Sequence, residues 1–87
     1  MIVPISPRAR KYGYLIWPSS ADQEIRGLLG ESKTVQVTFR GQEAGMKNVD
    51  WKHRRISIGP RLTRELPEEM EVFALEFENS TLNITCR

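Results

Sequence analysis

Cysteine is almost missing from these 87 residues: the only one is Cys86. An intrachain disulfide is therefore excluded, and a reducing compartment such as the cytoplasm is the expectation. Histidine is equally scarce. With His53 alone and no second cysteine, no set of residues has metal-ligand spacing, so no metal or other cofactor is expected. Nowhere is there an apolar run long enough to span a membrane, and Met1 to Pro7 is too short and too proline-rich for a signal peptide. No phosphate-cradling glycine loop and no serine or cysteine nucleophile motif appears, which speaks against an enzyme. Asp50 and His53 do not supply an acid–base pair either, because on a strand residues three apart face opposite sides.

What is present suits one small domain spanning residues 1–87. The apolar fraction of 39% and charged fraction of 28% are near globular averages, while a division into two domains would leave pieces too short to bury a core. The net charge of +2 conceals an asymmetry: Met1 to Arg64 holds twelve Lys and Arg against five Asp and Glu (+7), and Glu65 to Arg87 holds one Arg against six Glu (−5). A basic body suggests an anionic partner.

Ile2 to Ile5 reads as an edge strand, followed by the basic stretch Arg8-Ala9-Arg10-Lys11, which is either a flexible arm or a solvated terminus. Tyr12 to Trp17 is a strand stopped by Pro18, with Tyr14 and Trp17 expected in the core. Ser19 or Ser20 is placed to cap a helix that carries Ile25, Leu28 and Leu29 on one side and ends at Gly30. Val35, Val37 and Phe39 alternate as the inward face of a strand. Gly41 to Gly45 reads as a loop by composition, and Lys47 to Ile58 as an extended segment or hairpin. After Gly59-Pro60, Leu62 and Leu66 mark a second short helix, broken at Pro67. Met70 to Glu78 and Thr81 to Arg87 form a closing hairpin turned at Asn79-Ser80. The pattern predicts a mainly β fold with two short helices.

The two halves repeat an order. Ile16-Trp17-Pro18, a helix, and then Val35, Val37 and Phe39 correspond to Ile58-Gly59-Pro60, a helix, and then Phe73, Leu75 and Phe77. Two strand–helix–strand halves imply a small barrel-like core with pseudo-twofold character.

Arg55 to Leu66, followed by Met70 to Thr85, resembles the swapped-hairpin DNA-binding domains of the AbrB and MazE type: a basic strand, a proline, a short helix with a leucine and basic residues, then strand, turn and strand. The resemblance covers about thirty residues. It implies a small transcriptional regulator or antitoxin-like protein that lays Arg54, Arg55, Arg61 and Arg64 on duplex DNA. Members of that family are interleaved dimers, but a chain with both halves can build the two-lobed core alone, so monomer and homodimer both stand.

Independently of any resemblance, Lys47, Lys52, Arg54, Arg55, Arg61 and Arg64 form the densest basic stretch, with Trp51 interleaved; Arg8, Arg10 and Lys11 add a second. Such groups contact phosphates and release counterions, and an aromatic can stack on a base. The plain alternative is a solvated strand face with Trp51 in the core. Two other functions remain: an RNA-binding barrel stacking bases on Trp51, Tyr12 and Tyr14, and a protein-interaction module whose acidic hairpin, Glu68 to Glu78, adds to a partner's sheet or contacts a basic protein.

Overall fold

The computed structural model describes Met1–Arg87. Seven strands are β1 (Ile2–Pro4), β2 (Tyr14–Ile16), β3 (Thr34–Phe39), β4 (Gln42–Asp50), β5 (Arg55–Ser57), β6 (Val72–Glu78) and β7 (Thr81–Cys86). Three helices intervene: α1 (Pro7–Tyr12), α2 (Asp22–Leu29) and α3 (Pro60–Thr63). The strands form one sheet in the order β1-β6-β7-β3-β4-β5-β2, curled into a nearly closed barrel. None of the helices is long and apolar enough to cross a membrane.

Alternation builds the interior. Val35, Val37 and Phe39 of β3, Phe73 and Leu75 of β6, and Leu82 and Ile84 of β7 all turn inward and are buried. Leu15, Trp17, Ile56 and Ile58 enter from β2, β5 and their ends, and Phe39 meets Phe73 edge to face at 6.2 Å. All strand pairs are antiparallel except β3 with β7, which pair in parallel from Gln36↔Thr81 to Phe39↔Ile84.

The expected repeat is visible as β2–α2–β3–β4 and β5–α3–β6–β7. Its central pair behaves as a twofold requires: Tyr14 faces Ser57 and Leu15 faces Ile56. The antiparallel hairpins β3–β4 and β6–β7 also correspond, but the parallel β3–β7 pair has no β6–β4 counterpart in the sheet order.

Four local expectations need correction. The stretch expected to be an arm or a solvated terminus is a third helix, α1. Its start is set by Ser6, whose hydroxyl accepts from the Ala9 N–H, by Pro7 in the first turn, and its end by Gly13 at φ 77°. Gly41 to Gly45 is not a loop, because Arg40 (φ 53°) and Gly41 (φ 83°) suffice for a two-residue turn, and the extra residue is absorbed as a bulge between Val37 and Thr38. Ser19 and Ser20 lie in a single 3₁₀ turn before α2 and place no side-chain cap on it. Tyr14 is only half-buried, on the outer face under Arg55, whereas Leu15 and Trp17 occupy the core.

The strand directions divide the barrel into two poles. At the first lie α1, α3 and the Arg40-Gly41 turn. At the second lie α2, the Trp51–Arg54 turn and the Asn79-Ser80 turn.

Candidate nucleic-acid interface

The nine cations singled out in the sequence do not form one patch. Lys52, Arg54 and Arg55 sit at or beside the second pole, Lys47 is half-buried on β4, and Arg8, Arg10, Lys11, Arg61 and Arg64 belong to the first pole. Only three residues of β5 separate Arg54 from Ile58, yet they carry the chain from one pole toward the other.

At the second pole the arginines are engaged, while Lys52 is exposed and in no ion pair. Arg54 donates from Nε to both carboxylate oxygens of Asp22 at 3.1 and 3.0 Å, and Asp22 also accepts from the Trp17 indole at 2.7 Å. The Trp17 N–H, with the Arg54 guanidinium beside it, holds the Asp22 carboxyl below the usual carboxylate range. Arg55 lies 4.3 Å above the Tyr14 ring and 3.6 Å from Asp50. Arg26 pairs with Glu31 at 2.8 Å and covers the face of Trp51 at 4.9 Å.

Trp51 is consequently a packing residue. It meets Trp17 edge to face at 5.6 Å, its N–H donates to the Ser32 carbonyl, and its other face is under Arg26, so it presents no open ring to a base. Asp50 and His53 also depart from expectation. Residues 51–54 are a turn rather than a strand, with Arg54 at φ 54°, and the turn brings the His53 ring to 2.8 Å from Asp50. The His53 backbone N–H, followed by its ring, holds the Asp50 carboxyl low.

The first pole is different. The α1 carbonyl of Arg10 accepts from the buried Thr63 hydroxyl of α3 at 2.8 Å, and the Gly13 carbonyl accepts from the N–H groups of Ile58 and Gly59 at 2.7 and 2.9 Å. Gly13 packs so closely that a Cβ there would lie 2.1 Å from the Pro60 nitrogen. On these clasped helices Arg8 and Lys11 are three apart, as are Arg61 and Arg64, so each pair forms a row on one helix side. Arg64 reaches the Lys11 carbonyl at 3.3 Å and ties the rows together. All four side chains are exposed, and none is in an ion pair: the pairs of this protein are Arg26–Glu31, His53–Asp50, Arg54–Asp22 and Arg55–Asp50. Tyr12, 50% exposed, lies beside them with the Lys11 ammonium 5.4 Å over its ring.

Arg10 is the exception at this pole. Its guanidinium reaches the carbonyls of Leu66 (3.0 Å), Pro67 (3.1 Å), Glu68 (3.4 Å) and Met70, filling its donors with the backbone of the loop after α3. It is a loop anchor, with little left for a phosphate.

The acidic closing hairpin has no free edge for a partner strand, because β6 is flanked by β1 and β7, and β7 by β6 and β3. Its glutamates remain exposed. Comparison with family models, with curated proteins and with solved structures yields no match.

Proposed function

We propose that this chain is a DNA-binding module, of the small transcriptional-regulator or antitoxin-like type, that grips the phosphate backbone of duplex DNA with Arg8, Lys11, Arg61 and Arg64. One observation carries the reading: these four exposed cations lie in two rows on packed helices with no carboxylate partner, while the arginines of the opposite pole are held by Asp22, Asp50 and Glu31. A free guanidinium or ammonium exchanges water for phosphate and releases a condensed counterion; one already bound to a carboxylate must first break that pair.

The resemblance of Arg55 to Thr85 to the AbrB and MazE type supports half of this surface: of the four arginines it implies for DNA, Arg61 and Arg64 lie here, whereas Arg54 and Arg55 are held by Asp22 and Asp50 at the other pole. A lone cysteine and a DNA ligand together fit a cytoplasmic setting.

The test is a polarisation titration of duplex DNA, single-stranded RNA and heparin across a salt series. Four phosphate contacts predict a slope of about −3.6 in log affinity against log salt for the duplex. Replacing all four residues by alanine should flatten that slope and lower affinity at low salt by about 100-fold or more. Lys52→Ala, at the other pole, should leave both unchanged. An unaltered slope in the fourfold variant overturns the proposal, and stronger binding to single-stranded RNA than to duplex replaces it with the RNA reading.

A further inference from the structure

The outer face of β6, β7, β3 and β4 has a regular composition that the nucleic-acid reading leaves unused. Strand register places Glu78, Thr81, Gln36 and Met46 side by side in one row, and Glu76, Asn83, Thr38 and Glu43 in the next. Directly paired residues project to the same side, and two bonds lie along this face: Thr38 donates to Asn83 at 2.6 Å and Gln36 to Glu43 at 3.2 Å. The two rows hold three carboxylates and no cation, and none of the three carboxylates is in an ion pair. Glu76 and Glu78 are exposed, and Met46 is 62% exposed.

We infer that this acidic sheet face receives the basic pole of a second copy of the same chain. The argument is charge complementarity within one molecule. Arg8, Lys11, Arg61 and Arg64 are four unpaired cations beside the half-exposed Tyr12. Glu43, Glu76 and Glu78 are three carboxylates without ion-pair partners, beside exposed Met46. Each surface offers what the other lacks, and no ion pair joins them within one chain. The contact is heterologous: a pole on one copy meets a sheet face on the next, so association continues into short chains unless the rotation closes a ring. Four strands about 4.8 Å apart and some six residues long give a face of roughly 15 × 20 Å. That is about 300 Å² per partner, well under the ~800 Å² of a stable dimer, so the association is weak and salt-sensitive.

Sedimentation velocity without nucleic acid tests this, because its outcome is independent of whether the pole also binds DNA. Wild-type protein at about 1 mM in low salt should sediment as a mixture of monomer and short oligomers, with an association constant at least about ten-fold lower in high salt. Glu76→Lys with Glu78→Lys, and separately Arg61→Glu with Arg64→Glu, should each be monomeric. Mixed together, they should associate again into alternating oligomers, since the intact pole of the first meets the intact sheet face of the second and the reversed pole of the second meets the reversed face of the first. Should the lysine variant fail to fold by circular dichroism, Glu76→Gln with Glu78→Gln serves in its place and should weaken wild-type association by about ten-fold. A wild type that stays monomeric, oligomers indifferent to both charge variants, or mixed variants that ignore each other would each overturn the inference; so would a face that binds an unrelated basic peptide without self-association.

Discussion

The two poles of the barrel carry similar numbers of basic residues but use most of their arginines in opposite ways. At the α2 pole, Arg54 and Arg26 each hold a carboxylate, and the indoles of Trp17 and Trp51 fill the space between them. Those cations are cement. At the α1–α3 pole, packing rests instead on a glycine contact, a threonine hydroxyl and the one buried-end guanidinium of Arg10, and the other cations stay free. The difference teaches that a basic stretch in sequence measures supply, whereas availability depends on which acids the fold returns to it. Asp22 is 32 positions from Arg54, and only the turn geometry of residues 51–54 makes them neighbours.

The largest expected effect falls on the free pole. Gly13→Ala would put a methyl group into the Pro60 backbone at a φ of 77° that alanine disfavours. A loss of about 4 kcal/mol in urea unfolding is expected from the clash and the backbone strain together. Ordinary stability in this variant would mean that α1 and α3 are not clasped, and the contrast between the poles would fail. Next comes Arg10→Ala, which strands the carbonyls of the 66–70 loop and should cost about 3 kcal/mol, with Arg10→Lys recovering little because an ammonium lacks the fork. Equal behaviour of Arg8→Ala would erase the distinction between anchor and free cation.

The smallest effect belongs to the α2 pole and depends on pH. Asp22 has a lowered folded-state value, so its contribution to stability is present above the ordinary carboxylate value of 3.8 and disappears as pH falls through the lower folded one. Asp50 behaves the same way through His53. Asp22→Asn should therefore weaken the fold at neutral pH and flatten its acid limb below about pH 4 in thermal melts. An acid limb identical to that of the wild type would show that Arg54 is not held by Asp22 in solution.

Much of the barrel was legible along the chain. Alternation at Val35–Phe39, Phe73–Leu75 and Leu82–Ile84 marks strands because period two is the only way to bury one side of an extended backbone, whereas Phe77, expected on the same face, is exposed near the end of β6. Gly30 and Asn79-Ser80 mark ends because positive φ is needed there. The helix α1 was also written in the sequence, as Ser6-Pro7 before and Gly13 after, but its cluster of charges outweighed those caps and suggested an arm. The glycines around β4 read as a loop because composition does not separate a bulge from a break.

The proposed interface was legible only in part. Arg8, Lys11, Arg61 and Arg64 were found by charge alone. The engagement of Arg54, Arg55 and Arg10 was not, because the groups that occupy them are a distant aspartate, a ring on the neighbouring strand and a set of loop carbonyls. No local pattern encodes such partners.

The sheet order also governs when the barrel can be completed. Strand β1 pairs with β6, where Val3 faces Phe73, and β3 pairs with β7 some 45 residues further along. As the chain leaves the ribosome, Val3 must wait through some seventy residues of synthesis before its neighbour exists. Closure is therefore necessarily late, as in other chains dominated by distant pairings.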